Sequence, residues 1–189
     1  MKRVGVLALQ GGVEEHLEKL SQIENVIPVS VKYLQQFDEI DGLIIPGGES
    51  TALGLLLREF KLLEPLRKKI LSGLPVWGTC AGMILLAKEI IDEVTRHLEV
   101  MDIRVRRNAY GTQLESFSTM AVMDKVTNKP IPLVFIRAPY VESVGPNVEV
   151  IYKIDEKIVA CREKNMLATS FHPELTKDLS FHKYFIRMI

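Results

Sequence analysis

A chain of 189 residues, with hydrophobic side chains at 47% and charged ones at 25%, has the size and composition of a globular protein with a full core. Lys and Arg together number 24, as do Asp and Glu, so the net charge is zero, which speaks against a general binder of nucleic acid or of an anionic membrane. Two cysteines, Cys80 and Cys161, with no Cys-x-x-Cys pair, argue against a disulfide framework or a metal site and for a reducing cytoplasm.

Met1-Lys2-Arg3 leads into residues 4–9, an apolar run too short to span a membrane and followed by no small-residue cleavage site. Its near-continuous apolar character is that of a strand covered on both faces. Gln10-Gly11-Gly12 turns it. Residues 13–22 read as a helix with Leu17 and Leu20 inward and His16 on the surface. Val26–Val31 is a second strand, and Leu43-Ile44-Ile45 a third that stops at Pro46-Gly47-Gly48-Glu49-Ser50-Thr51. Residues 53–60 and 65–71 have helical spacing, and Pro75-Val76-Trp77 is a short buried strand. Strands alternating with helices at these distances make βαβ units and a parallel sheet.

Strands dominate the second half: residues 99–106, 116–123, 133–137, 149–154, 157–162 and 166–171. Lys153-Ile154-Asp155-Glu156-Lys157 reads as a hairpin turn, and Ser180–Met188 as a closing helix. This half extends the sheet and adds an antiparallel flap. His97 and His182 fall in surroundings that suit solvated side chains. No repeat, low-complexity segment or flexible linker intervenes, so the expectation is one α/β domain over residues 1–189.

Chemistry concentrates at Gly78-Thr79-Cys80-Ala81-Gly82. A strand enters it and an apolar pattern of helical spacing leaves it, which is the strand–turn–helix of a nucleophile elbow with cysteine for serine. The small flanking residues let strand and helix pass closely, and the helix N-terminus favours a thiolate. The N–H of Ala81, next after the cysteine, is the natural first half of an oxyanion hole. The same five residues also fit a buried structural cysteine.

Phe171-His172-Pro173-Glu174 follows the last strand. Residues i and i+2 of an extended segment project to one side, so Glu174 can orient a His172 base for Cys80. A helix-start turn with a surface histidine is the other reading. Pro46-Gly47-Gly48-Glu49-Ser50-Thr51 leaves a strand end where α/β proteins place their sites. Gly48 can donate the second oxyanion hydrogen bond, while Ser50 or Thr51 can cap the next helix. No phosphate-loop tail follows. Arg106-Arg107 and Arg137, beside apolar residues, suit either an α-carboxylate or structural ion pairs.

Pro-Gly-Gly-Glu-Ser, Gly-Thr-Cys-Ala-Gly and Phe-His-Pro-Glu, in this order, resemble the class I (triad) glutamine amidotransferases. With Leu9-Gln10-Gly11, Arg107-Asn108-Ala109-Tyr110-Gly111 and Phe135-Ile136-Arg137-Ala138-Pro139, residues 4 to 176 are similar to the glutaminase subunits of pyridoxal 5′-phosphate synthase. The resemblance implies a single flavodoxin-like three-layer domain with a mainly parallel central sheet and an antiparallel extension. It implies hydrolysis of L-glutamine to glutamate and ammonia, with Cys80 as nucleophile, His172 as base and Glu174 as its orienter. Gly48, Glu49 and Ser50 match the loop that meets glutamine, and Arg107, Ile136 and Arg137 the other glutamine contacts. The implied partner is a separate (β/α)8-barrel subunit that uses the ammonia to build vitamin B6 from ribose 5-phosphate and glyceraldehyde 3-phosphate. Thr112 departs from the pattern, where arginine or another long polar residue is expected.

Chemistry and resemblance together give a mechanism that needs no metal or organic cofactor: attack by Cys80, an oxyanion held by Ala81 and Gly48, and proton transfer by His172. Ammonia without a partner would be wasted, so activity is expected to be coupled. The Gly47-Gly48 peptide is the expected switch, because glycine permits a flip at little cost. Gln10-Gly11, at the same sheet end, is a candidate partner contact. Competing readings are a subunit serving another pathway, a partner-independent cysteine hydrolase on the same fold, and a non-catalytic regulatory subunit.

Overall fold

The computed structural model describes residues 1–107 and 116–189. The elements in chain order are β1 (Lys2–Leu7), α1 (Val13–Ser21), β2 (Val26–Val31), β3 (Gly42–Ile45), α2 (Ser50–Glu59), α3 (Leu63–Leu71), β4 (Val76–Thr79), α4 (Ala81–Leu86) and β5 (Ala87–Ile90). They continue with β6 (Met101–Arg106), β7 (Ser116–Met123), β8 (Thr127–Ile136), β9 (Tyr140–Val144), β10 (Glu149–Ile154), β11 (Lys157–Glu163), β12 (Met166–Thr169) and α5 (Ser180–Met188). One-turn 3-10 helices cover Leu34–Asp38 and Pro173–Leu175.

The main sheet runs β2-β1-β3-β4-β12-β11-β9-β6-β5, with β10 on β11. From β2 to β12 every pairing is parallel. Beyond it β11, β9 and β10 pair antiparallel, and β7 with β8 forms a separate two-stranded ribbon. The result is the flavodoxin-like arrangement: a large, mainly parallel sheet with an antiparallel extension.

Alternation along the strands sorts the core onto two faces. Val4, Val6, Ile44, Trp77 and Leu167 pack with α1, α5 and the β7–β8 ribbon. Leu7, Leu43, Ile45, Val76 and Ala168 pack with α2, α3 and α4. The central strands are buried on both faces, which is why they read as unbroken apolar runs.

Two strands, β5 and β9, depart from the sequence reading. Leu85-Leu86-Ala87-Lys88-Glu89-Ile90 favours helix locally, yet α4 ends after six residues and the chain extends to pair with β6 at the sheet edge. β8 spans ten residues where only its end has strand character, because Pro130 and Pro132 interrupt the pattern. The ribbon tolerates them since each of its strands has one open edge. The hairpin at residues 153–157 is as expected, with Asp155 and Glu156 at φ 47° and 63°. Among the described residues no helix is long and apolar enough to cross a membrane.

Candidate active site

β1, β3, β4 and β12 lie side by side and parallel, so the loops leaving their C-terminal ends must also lie side by side. These loops carry Gln10-Gly11, Gly47-Gly48-Glu49, Cys80, and His172 with Glu174. They surround a cleft of about 530 Å³, within the usual range for small-molecule sites. Ser50, Ala81, Arg107, Ile136 and Arg137 line it too, so the cleft brings together the candidate triad, oxyanion and glutamine-contact residues. Asn108, Ala109, Tyr110, Gly111 and Thr112 lie outside the described residues.

Cys80 occupies the sharp turn between β4 and α4 at φ 49° and ψ −102°, a conformation outside the relaxed regions for an L-residue. Its N–H donates to the Thr169 carbonyl of β12 at 2.8 Å, tying the turn to the strand that leads to His172. The flanking glycines are required by close approach. A Cβ on Gly78 would stand 2.4 Å from the Gly82 carbonyl carbon, and one on Gly82 would stand 2.2 Å from the Ile45 carbonyl oxygen. The cysteine is 7% exposed.

His172 is held by its own N–H donating to the Val134 carbonyl of β8 at 2.8 Å. Its Nδ1 lies 2.7 Å from Glu174 Oε1, with the carboxylate side chain 2% exposed. Burial works against a charged imidazole here. Hydrogen bonds to Cys80 and Glu174, with the charges of both, outweigh it and push His172 up to about 10. A nucleophile, a base and an orienting carboxylate are thereby assembled in one crevice.

The loop after β3 is braced against the loop after β1. Gly12 N–H donates to the Gly47 carbonyl at 2.9 Å, and Glu49 N–H donates to Gln10 Oε1 at 2.9 Å. Gln10 therefore turns its side chain toward the Gly48-Glu49 backbone. The cap of α2 differs from expectation: it is Glu49, whose carboxylate accepts from Thr51 N–H and Ala52 N–H, and not Ser50 or Thr51. Two oxygens on a longer side chain accept from two first-turn donors at once. Burial opposes its charge, but those N–H donors, the Thr51 hydroxyl and Arg107 hold the Glu49 carboxyl below its ordinary range. Ser50 Oγ, in the first turn, is buried with no hydrogen-bond partner among the described residues.

Arg107 bridges this loop to Glu93, at 2.9 Å, and to Glu49, at 3.3 Å. Arg106 faces elsewhere, onto Asp92 and Glu142. Arg137 follows β8 at φ 42° and is exposed at the cleft rim. Glu15, Ile84, Pro139 and Leu175 also line the cleft and were not anticipated. Pro139 closes the segment 135–139 singled out in the sequence and Leu175 adjoins Glu174, so these two had a signal; Glu15 and Ile84 had none.

The histidines expected in solvent are buried. His16 and His182 are 0% exposed and His97 is 4%. His16 shares the inner face of α1 with Leu20, one turn on, and His182 sits among Phe181, Tyr184 and Phe185 on the inner face of α5. Each histidine finds a polar partner inside, which periodicity cannot reveal.

The SNO glutamine amidotransferase family matches residues 6–189 of this chain. A protein of Ruminiclostridium cellulolyticum named pyridoxal 5′-phosphate synthase subunit PdxT is 65% identical over 189 residues, covering 100% of both chains. One of the same name from Clostridium botulinum is 57% identical over 186 residues, covering 98% of this chain and 96% of its own. A crystal structure described as a glutamine amidotransferase superposes with a TM-score of 0.90 at 42% identity, covering 98% of this chain and 97% of that one. With the fold, the cleft and these matches in agreement over almost the whole length, the chain belongs to the SNO glutamine amidotransferase family.

Proposed function

We propose that the chain, as one domain over residues 1–189, is the glutaminase subunit of a pyridoxal 5′-phosphate synthase. It hydrolyses L-glutamine and passes the ammonia to a synthase subunit. The observation that carries the reading is Cys80 at a strained turn beside the His172–Glu174 pair, in a cleft that admits a small molecule. The names of the relatives matched over nearly the whole chain support the pathway. We further propose that the partner is a (β/α)8 barrel and that the pair works in the cytoplasm.

In this reading the Cys80 sulfur, as thiolate beside the His172 imidazolium, attacks the side-chain amide carbon of glutamine. The oxyanion is held by the N–H groups of Ala81 and Gly48, each such donor being worth about 3 kcal/mol. His172 gives its proton to the leaving nitrogen, so ammonia departs and a thioester on Cys80 remains. A water that loses its proton to His172 then attacks the thioester, releasing glutamate and restoring the sulfur. Glu174 orients His172 and stabilises its charged form. The amino-acid end of glutamine would be recognised by Ser50 Oγ, which is buried with no partner among the described residues, and by the Glu49–Arg107 pair.

Coupling follows from the bracing of the two loops. The Gly47 carbonyl is tied to Gly12 N–H, so turning the Gly47-Gly48 peptide breaks a bond to the loop that holds Gln10 and Gly11. A partner that displaces this loop thereby controls where the Gly48 N–H points.

The direct test is glutamate release from L-glutamine, with and without the cognate synthase subunit, by the wild type and Cys80→Ala. Activity raised by the partner and abolished in the variant is the expected result. High activity without the partner would remove the coupling, and no activity in either setting would remove the glutaminase reading.

A further inference from the structure

Behind Cys80, His172 and Glu174 lie two more imidazoles that the chemistry above does not use. His16 Nδ1 is 2.9 Å from His182 Nε2. His16 Nε2 lies 3.3 Å from Thr79 Oγ1 and 3.5 Å from Glu174 Oε2. The other oxygen of that carboxylate is the one 2.7 Å from His172 Nδ1. Glu174 Oε2 has no well-formed hydrogen bond among the described residues, and neither has His182 Nδ1. Trp77 stands edge-on to both rings, with centroids 5.7 and 5.0 Å away, and keeps the pair in an apolar setting. A continuous polar row therefore runs from Cys80 through His172, Glu174 and His16 to His182.

The protons on this row follow from what each placement leaves unpaired. Burial, with the charges of His182 and His172, keeps His16 well below the ordinary imidazole range. Burial and the charge of Lys19 bring His182 down to about 3. Both rings are thus neutral, with one N–H each. Were the His16 proton on Nδ1, its Nε2 lone pair would face the Glu174 carboxylate. His182 would then carry its own proton on Nδ1, a buried donor without an acceptor. With the His182 proton on Nε2, that ring donates to His16 Nδ1 and His16 Nε2–H points to Thr79 Oγ1 and Glu174 Oε2. The second arrangement leaves only a lone pair unmatched and places an N–H against the carboxylate.

We infer that His16 is a positioning residue for the glutaminase reaction: its Nε2–H holds Glu174 Oε2, and His182 fixes the His16 tautomer that makes this possible. The inference rests on the glutaminase reading above. A carboxylate fixed at Oε2 offers Oε1 to His172 in one orientation and so keeps the other imidazole nitrogen aimed at Cys80. The 3.5 Å separation needs only a small shift to become a hydrogen bond, and bonds of this kind shorten in the reacting complex.

The test compares His16→Leu, which removes the donor, with His16→Gln, whose amide can place an N–H where Nε2 stands. Two readouts are taken: glutamate release with the synthase subunit present, and the rate at which iodoacetamide alkylates Cys80, located by peptide mass spectrometry. The second needs no glutamine. In His16→Leu, kcat should fall about 10-fold or more with KM within twofold, and alkylation should slow in parallel. His16→Gln should return to within threefold of wild type in both. His182→Leu should lower kcat severalfold in the wild-type background but less than twofold on top of His16→Gln, because an amide has no tautomer to fix. A packing role for His182 would instead give the same loss in both backgrounds, and that result overturns the inference. So does wild-type behaviour of His16→Leu, or an equal loss in His16→Leu and His16→Gln. If His16→Leu does not fold, the His182→Leu comparison decides by itself. If alkylation follows the expected pattern while wild type releases no glutamate, the positioning row stands and the glutaminase reading falls.

Discussion

At the scale of the residue, Cys80 and Gly48 show how backbone conformation is put to chemical use. Cys80 is held at φ 49° by a hydrogen bond from its own N–H to Thr169, so its strain is met by the pairing of β4 with β12. Gly48 is different, because its surroundings are soft on one side. A Cβ there would meet Gln10 Oε1 at 2.4 Å, the far end of a side chain that can swing away, and Gly11 Cα only at 3.1 Å. Gly48→Val keeps the N–H but loses the freedom to flip, so it is expected to keep its melting temperature within a few degrees while kcat with the partner falls roughly 100-fold or more, as when an oxyanion donor points away. Activity like that of wild type would remove the Gly47-Gly48 flip as the switch.

At the scale of the element, the turn from β4 into α4 depends on backbone approaching backbone. Gly78→Ala would place a methyl 2.4 Å from the Gly82 carbonyl carbon and 2.5 Å from its oxygen, and neither can yield without moving the elbow. The expected loss is about 3 kcal/mol or more, read from urea denaturation. Gly73 is the control. It sits at φ 113° with no described residue's atom within 4 Å of its added Cβ, so Gly73→Ala should cost only about 1–2 kcal/mol, the backbone penalty alone. Equal effects at the two sites would mean that the elbow yields to the methyl and that crowding does not select glycine there. α4 shows a limit of local reading. Its apolar run has helical spacing, but the demand for a β6 partner turns the run into strand after Leu86.

At the scale of the whole molecule, three buried histidines link stability to acid pH. His16, His97 and His182 are all held below 6.5, His97 at about 4 and His182 at about 3, by burial first and neighbouring positive charge second. Below pH 6.5 the unfolded chain takes up protons that the native state refuses. Their contribution is thus complete above that pH and is lost as pH falls through 6.5 toward the native values. Each such histidine steepens the loss by up to about 1.4 kcal/mol per pH unit. Urea midpoints between pH 7 and 4.5 should fall less steeply in His182→Leu than in wild type. Parallel slopes would show that His182 is protonated in the native state. Cys161, by contrast, sits in the core with its thiol pushed up to about 12 by burial and by Glu163, so it stays a neutral thiol near neutrality.

The order of strands and helices up to the elbow, and the candidate residues Cys80, His172 and Glu174, were legible in the sequence. Buried parallel strands must be apolar throughout, and an elbow needs small residues around its nucleophile. The cap on α2 was misplaced from Glu49 to Ser50 or Thr51, since both types satisfy first-turn donors and only geometry chooses between them. The strands β5 and β9 were missed because each exists by virtue of its sheet neighbours, not its own pattern. His16 and His182 read as solvated because a polar residue on an amphipathic helix looks the same whether it meets water or another buried imidazole. Local chemistry and periodicity are properties of contiguous residues, and these the sequence determined by itself. The cleft, the tautomers and the row behind Glu174 join residues up to 166 positions apart, and only the tertiary structure, by setting β1, β3, β4 and β12 side by side, could decide them.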